Sequence, residues 1–191
     1  DAILIYNDYN TFQWNTDQFI TLVRTLRDAG APIDAYGCQS HDLTGCSAST
    51  LKASMTKIQN ALKMPMYVSE YDIGTSDDNA QLNDYKAQIP LLWEADYCAG
   101  VTLWGYIYGK TWTTDGNSGI IKNGKDRPAM TWLRQYMQTD KAKTAKSPFP
   151  GMVKEASVYV KPASLTCSKG EALPITVNAR LKTKIIEKID L

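Results

Sequence analysis

Histidine occurs once in the 191 residues, at position 41, and cysteine only four times, so the chain is poor in the side chains that most often hold transition metals. The one closely spaced set, Cys38, His41 and Cys46, offers three ligands with no fourth at useful spacing, which argues against zinc. Net charge is nearly absent as well. Lysine and arginine number 21 against 20 acidic residues, a balance of +1 that gives no field for nucleic acid or another polyanion. No apolar run approaches the roughly 18 to 20 residues that cross a bilayer, and no basic leader followed by an apolar stretch marks a signal peptide. No glycine-rich phosphate loop follows an apolar run, which argues against a nucleotide-binding sheet.

What remains is an ordinary globular composition, 43% hydrophobic and 21% charged. The length allows one good core and part of another. The chain opens at Asp1 and enters an apolar run at once, so a preceding segment is expected. Along the first 138 residues, apolar runs and amphipathic stretches alternate. AILIYN reads as a strand. NTDQ at 15–18 reads as a capping box opening a helix whose Phe19, Ile20, Val23 and Leu26 share one face, stopped by Gly30. PIDAYGCQ is the next strand, followed by Leu51, Met55, Ile58 and Leu62 at helical spacing. MPMYVSEYDI is the third strand. Leu82, Tyr85, Ile89 and Leu92 mark the third helix, opened by Asp78 with Gln81 three residues on and expected to kink or split at Pro90. CAGVTLWGY and MTWLRQYMQ complete the series. Strand and helix repeating every thirty or so residues is the pattern of parallel βα units.

Polar groups fall at the carboxyl ends of these strands: Asn7 and Asp8, then Gln39 and His41, then Glu70, then Trp104. In a closed barrel such ends converge on one mouth, where an active site sits. Four units make half a barrel. The third strand poses the sharpest question, because MYVSEYDIG is built for a core yet carries Glu70, with Asp72 two places on. Cys38 and Cys46 bracket a seven-residue loop, short enough for a disulfide worth roughly 2 to 3 kcal/mol, expected if the protein is exported. Cys98 and Cys167 read as free, buried thiols. Trp93 and Trp132 fall in helical patterns and read as packing, and Trp14 as either a hydrophobic staple or an exposed binding platform.

YNDYN at 6–10, GCQSH at 37–41, VSEYDI at 68–73 and TLWGY at 102–106, with Trp112 and the RPA of 127–129, together resemble glycoside hydrolase family 10, the retaining endo-1,4-β-xylanases. The motifs run in family order from residue 1 to about 138 and are similar to the last four strands of that barrel. The resemblance implies the fold class: α/β, a partial (β/α)8 TIM barrel containing strands five to eight. It also implies roles. Glu70 would be the catalytic nucleophile, ionised and attacking the anomeric carbon, with a partner carboxyl about 5 to 5.5 Å away. His41 would hydrogen-bond Glu70 and be oriented by Asp72. Asn7 and Gln39 would face the nucleophile and the sugar beside it, while Trp104 and Trp112 would pack on that sugar. Asp8 and Asn10 could simply fix the strand end and its turn.

The family's acid/base glutamate comes from the fourth barrel strand, and nothing in this chain resembles its motif. The expected partners are therefore xylan or xylo-oligosaccharide and the N-terminal half of the barrel, with no cofactor, nucleic acid or membrane. Alone, the chain is expected to be inactive. Residues 139–156 read as a linker. Residues 157–191 read as the start of a secreted enzyme's appended β module, immunoglobulin-like or carbohydrate-binding, in a larger extracellular protein. Two alternatives stand beside this reading: a non-catalytic sugar-binding relative, and a barrel glycosidase acting on β-1,4-glucan.

Overall fold

Four apolar runs form parallel strands, β1 (Ile5–Asp8), β2 (Ala35–Cys38), β3 (Met66–Tyr71) and β4 (Cys98–Leu103), in the spatial order β1-β2-β3-β4. This computed structural model describes residues 2–149 and the backbone of 176–181 and 184–190. Helices α1 (Thr16–Asp28), α2 (Ala48–Leu62) and α3 (Asp78–Trp93) make the crossovers, and α4 (Pro128–Tyr136) follows β4. Parallel strands joined this way place their helices on one face, since the crossovers share one hand. The fold is thus α/β, with one helix-covered face and one open face. A short hairpin, β5 (Ile121–Lys122) with β6 (Lys125–Asp126), lies between β4 and α4.

The helix-covered face holds the core. Phe19, Ile20 and Val23 of α1 bury against the sheet, as do Leu51, Met55, Ile58 and Leu62 of α2 at the expected spacing. Each fully buried Leu, Ile or Met contributes about 1.5–3 kcal/mol. Met66, Val68 and Tyr71 meet them from β3, and every residue of β2 is buried, as befits a central strand. Gly30 stops α1 from the left-handed region, at φ 88°. Trp93 is buried and donates to the Ala142 carbonyl at 2.9 Å, and Trp132 stacks on Tyr136.

Several local expectations are corrected. Asn15 makes no side-chain cap; Thr16 Oγ instead donates to the Thr11 carbonyl at 2.7 Å. α3 is capped by Asp77, not Asp78, its carboxylate accepting from the N–H groups of Asn79 and Ala80. Asp78 is left free to pair with Arg127 at 2.7 Å. α3 runs unbroken through Pro90. Its buried face includes Gln81 and Gln88, while Leu82 is only partly buried. The Cys38–Cys46 disulfide is not formed; both thiols are free and buried. Cys46 turns its sulfur toward the Ser47 carbonyl at 3.6 Å, and the loop between the two is closed by polar side chains described below.

The segment expected as a linker is packed at its start: Thr139 caps a short helix, α5 (Asp140–Lys143), Ala142 is buried, and Phe149 lies against Tyr67. Residues 150–156, and Cys167 with the rest of 157–175, lie outside the described residues. Beyond them, β7 (Thr176–Leu181) and β8 (Lys184–Asp190) pair antiparallel.

Candidate active site

Strict alternation along β3 would put residues 66, 68 and 70 on one face, burying Glu70 with Met66 and Val68. The strand avoids this with an irregularity. Its pairing with β4 steps from Val68↔Val101 to Tyr71↔Leu103, so three residues of β3 match two of β4. The extra residue of this bulge re-aims the chain. Ser69 and Glu70 are only partly buried while Tyr71 returns to the core. Glu70 thereby leaves the helix-covered face, and Asp72, two residues further, follows it.

His41 is brought over β3 by the turn that ends β2. Ser40 adopts a left-handed conformation, φ 73°, uncommon for a residue other than glycine, and its hydroxyl donates to the Cys38 carbonyl at 3.0 Å. The imidazole then spans two carboxylates: Nε2 lies 3.2 Å from Glu70 Oε2 and Nδ1 lies 2.9 Å from Asp72 Oδ1. Neutral imidazole has one N–H, whereas both ring nitrogens here face acceptors, an arrangement that suits imidazolium. Burial pulls the His41 pKa down, but the hydrogen bonds and negative charge of Asp72 and then Glu70 outweigh it and leave it raised above 6.5. The Asp72 carboxylate is almost fully buried, and its other oxygen accepts the indole N–H of Trp112 at 2.6 Å. The Trp112 and His41 rings meet edge to face with centroids 4.7 Å apart.

The other expected residues sit around this centre. Asn7 lies on the open face, accepting from Ser69 Oγ at 2.8 Å, in space that any side chain on Gly37 of the neighbouring strand would fill. Gln39 is half-buried, two residues before His41, its N–H bonded to the Asp8 carbonyl at 2.9 Å. Trp104 follows β4 and is exposed, its N–H donating to the Tyr71 carbonyl at 2.9 Å; Trp112 is 63% exposed despite its bond to Asp72. Asp8 accepts from the Tyr6 hydroxyl and the Tyr9 N–H, and Asn10 takes a left-handed turn, the structural roles considered for both. Trp14 is 66% exposed and forms no staple.

Four residues support the centre in ways the sequence did not announce. Gln88, fully buried on α3, accepts from the Tyr71 hydroxyl at 2.9 Å and donates to the carbonyls of Leu43 and Cys46 at 2.8 and 3.0 Å. It ties the strand carrying Glu70 to the turn carrying His41. Asp42 accepts from the N–H groups of Phe12 and Gln13 at 2.9 and 2.8 Å, locking that turn to the loop after β1. Burial raises its pKa, against the opposing bonds from Gln13 and Phe12. Gln81 donates to the carbonyls of Ile73 and Ser118. Arg127, buried, reaches Asp78, the carbonyls of Asn117 and Gly119, and that of Thr75, clamping the Trp112 loop to the loop after β3. Arg127 had a sequence signal as part of the RPA motif, and Gln81 as the residue three on from Asp78 at the start of α3.

A carboxylate fixed by imidazole on the open face of a parallel sheet suits nucleophilic or acid/base work on a neutral substrate. Residues 1–136 match the profile of glycosyl hydrolase family 10. The chain belongs to that family. Among family 10 relatives, endo-1,4-beta-xylanase B of Cellvibrio japonicus is 43% identical over 133 residues, covering 70% of this chain and 22% of the relative. An intracellular xylanase of Thermoanaerobacterium saccharolyticum, solved with xylotetraose, is 26% identical with a TM-score of 0.57, over 68% of this chain and 43% of that one. A thermostable mutant xylanase from Cellvibrio japonicus shares the fold at 21% identity and a TM-score of 0.60, over 72% of this chain and 50% of that one. The neighbours are family 10 TIM barrels, and this chain spans only about a fifth to a half of these relatives' own lengths.

Proposed function

We propose that this chain supplies one half of the cleft of an endo-acting enzyme that hydrolyses β-1,4-xylosidic bonds in xylan with retention of configuration. The observation that carries the reading is Glu70, turned out of the core by a bulge and held 3.2 Å from an imidazole that a buried carboxylate anchors. Simple sugar binding has no use for an acid so constrained, and the relatives named as xylanases point to the same chemistry.

In this reading Glu70 attacks the anomeric carbon, the glycosidic C–O bond breaks, and the leaving oxygen takes a proton from a second carboxyl; water then hydrolyses the glycosyl ester. His41, as imidazolium, supplies counter-charge to Glu70 before attack. Asn7 and Gln39 hydrogen-bond the sugar, and Trp104 and Trp112 present apolar ring faces to it. The acid/base comes from the preceding half of the barrel, strands one to four, against which β1 and β4 are the open edges of strands five to eight. Nearby carboxylates of this chain are committed elsewhere: Asp72 to His41 and Trp112, Asp8 to Tyr6 and Tyr9. We place the enzyme outside the cell, because a polymer does not cross a membrane, and read residues 157–191 as the start of an accessory β module.

The test uses the full-length protein that carries this chain. A 2-fluoro-xylobioside with a good leaving group should label Glu70 covalently, located by peptide mass spectrometry, and turnover should be faster on xylan than on β-1,4-glucan. Absence of the label removes Glu70 as nucleophile. Labelling with a glucan preference would leave the mechanism and change the substrate.

A further inference from the structure

Trp112 looks at first like a sugar platform alone. Its ring is 63% exposed and stands beside the centre, on the loop that follows β4. Its polar edge does something else. The indole N–H donates to Asp72 Oδ2 at 2.6 Å while His41 Nδ1 meets Asp72 Oδ1 at 2.9 Å, so the two donors divide one buried carboxylate between them. The far nitrogen of the same imidazole meets Glu70. Indole, carboxylate, imidazole and carboxylate form one continuous chain, and the 4.7 Å ring contact closes Trp112 back on His41.

We propose that Trp112 is a positioning residue for the Glu70 centre, setting through Asp72 how strongly His41 is held and charged against Glu70. A hydrogen bond to one oxygen of a carboxylate draws charge from the other, so the indole weakens the grip of Asp72 on the imidazole. Among the described residues, the charged groups that face His41 are Glu70 and Asp72 from β3 and its end, and Asp42, its neighbour on the same turn. Removing the indole donor returns more of the Asp72 charge to His41 and moves its titration upward. The loop bearing Trp112 is pinned by Arg127 to the Asn117 and Gly119 carbonyls and by the Thr111, Thr113 and Ser118 hydroxyls, so the donor is delivered from a fixed frame.

The relevance to catalysis rests on Glu70 as nucleophile, but the network can be tested without turnover. His41 is the only histidine, so one imidazole titrates in a nuclear magnetic resonance spectrum of this chain. In Trp112→Phe, which keeps a ring and loses the N–H, the His41 midpoint should rise by about half a pH unit or more. Trp132→Phe, on α4, should leave it in place. In the unsubstituted chain the Trp112 indole proton should exchange with water slowly for so exposed a ring. An unmoved His41 midpoint in Trp112→Phe, or rapid exchange of that indole proton, overturns the proposal whatever Glu70 does. In the full-length protein, Trp112→Phe should slow covalent labelling of Glu70 at saturating inactivator and shift the alkaline limb of its pH profile. A change confined to inactivator affinity would mean that the ring acts on sugar alone.

Discussion

The two faces of β3 carry opposite chemistry within six residues. Met66, Val68 and Tyr71 point into a core of aliphatic and aromatic side chains, while Ser69 and Glu70 look onto the open face with Asn7 and His41. On the first face a side chain matters through volume, and its neighbours tolerate little change. On the second it matters through a hydrogen-bond partner. One bulged residue separates the two regimes, and a strand in strict alternation would have merged them. Among the polar groups on the helix-covered side, Gln88 and the Tyr71 hydroxyl have bonds that reach through to the His41 turn.

Deleting Ser69 would break the comparison most severely. With the extra residue gone, Glu70 takes the outward place of Ser69 and the chain beyond it is drawn back by about 3.3 Å, so Glu70 and the buried Asp72 lose their register with His41. We expect loss of Glu70 labelling in the full-length protein and destabilisation of this chain by several kcal/mol, read by chemical denaturation. Retained labelling would show that the bulge does not aim the acid. Glu70→Gln separates the faces more cleanly. Turnover should fall by at least about 10³-fold, while the unfolding midpoint moves little, as for other changes outside a core. The opposite pattern is expected from Met66→Ala, a loss of about 2–5 kcal/mol in denaturation. Gln88→Leu should sit between them, costing about 1–3 kcal/mol because the Leu43 and Cys46 carbonyls and the Tyr71 hydroxyl lose their partner; labelling of Glu70 should slow as well.

The smallest effect is in pH dependence. His41 titrates above 6.5 in the folded chain, so its contribution to stability is fully present below about pH 6.5 and is lost as the pH rises through the raised folded value. Comparing denaturation midpoints of the unsubstituted chain and His41→Gln across pH 5 to 9 should show a gap that narrows as the pH rises. A constant gap would mean that His41 holds its partners without its charge.

Most of the frame was legible because amphipathic periodicity is a local signal. Leu51, Met55, Ile58 and Leu62 announce their buried face within fifteen residues, and four successive apolar runs announce parallel strands. The resemblance of four motifs led to Glu70, His41 and Asp72, and the structure brings these three together. What stayed hidden depends on partners far along the chain. Gln88 looks like a surface residue until Leu43, 45 residues away, meets its amide; the Trp112 N–H bond to Asp72 spans 40. The disulfide expectation failed for a related reason. Loop length shows that two cysteines could meet, whereas Asp42 and Gln88, which fasten that loop, announce nothing in its spacing. The expected cap of α3, Asp78, pairs instead with Arg127 from 49 residues away, and Asp77 caps the helix.

Gly37 shows how far importance can stand from function in this molecule. It offers no functional group and touches no substrate in the proposed mechanism, yet its missing side chain is the space in which the Asn7 amide lies. In a screen that substitutes every position in turn and selects for activity, the tolerance profile would place this hydrogen atom among the acids and the imidazole, for alanine, the mildest replacement, already evicts Asn7. A ranking of sites by such a screen would therefore need the neighbour across the sheet to be interpreted.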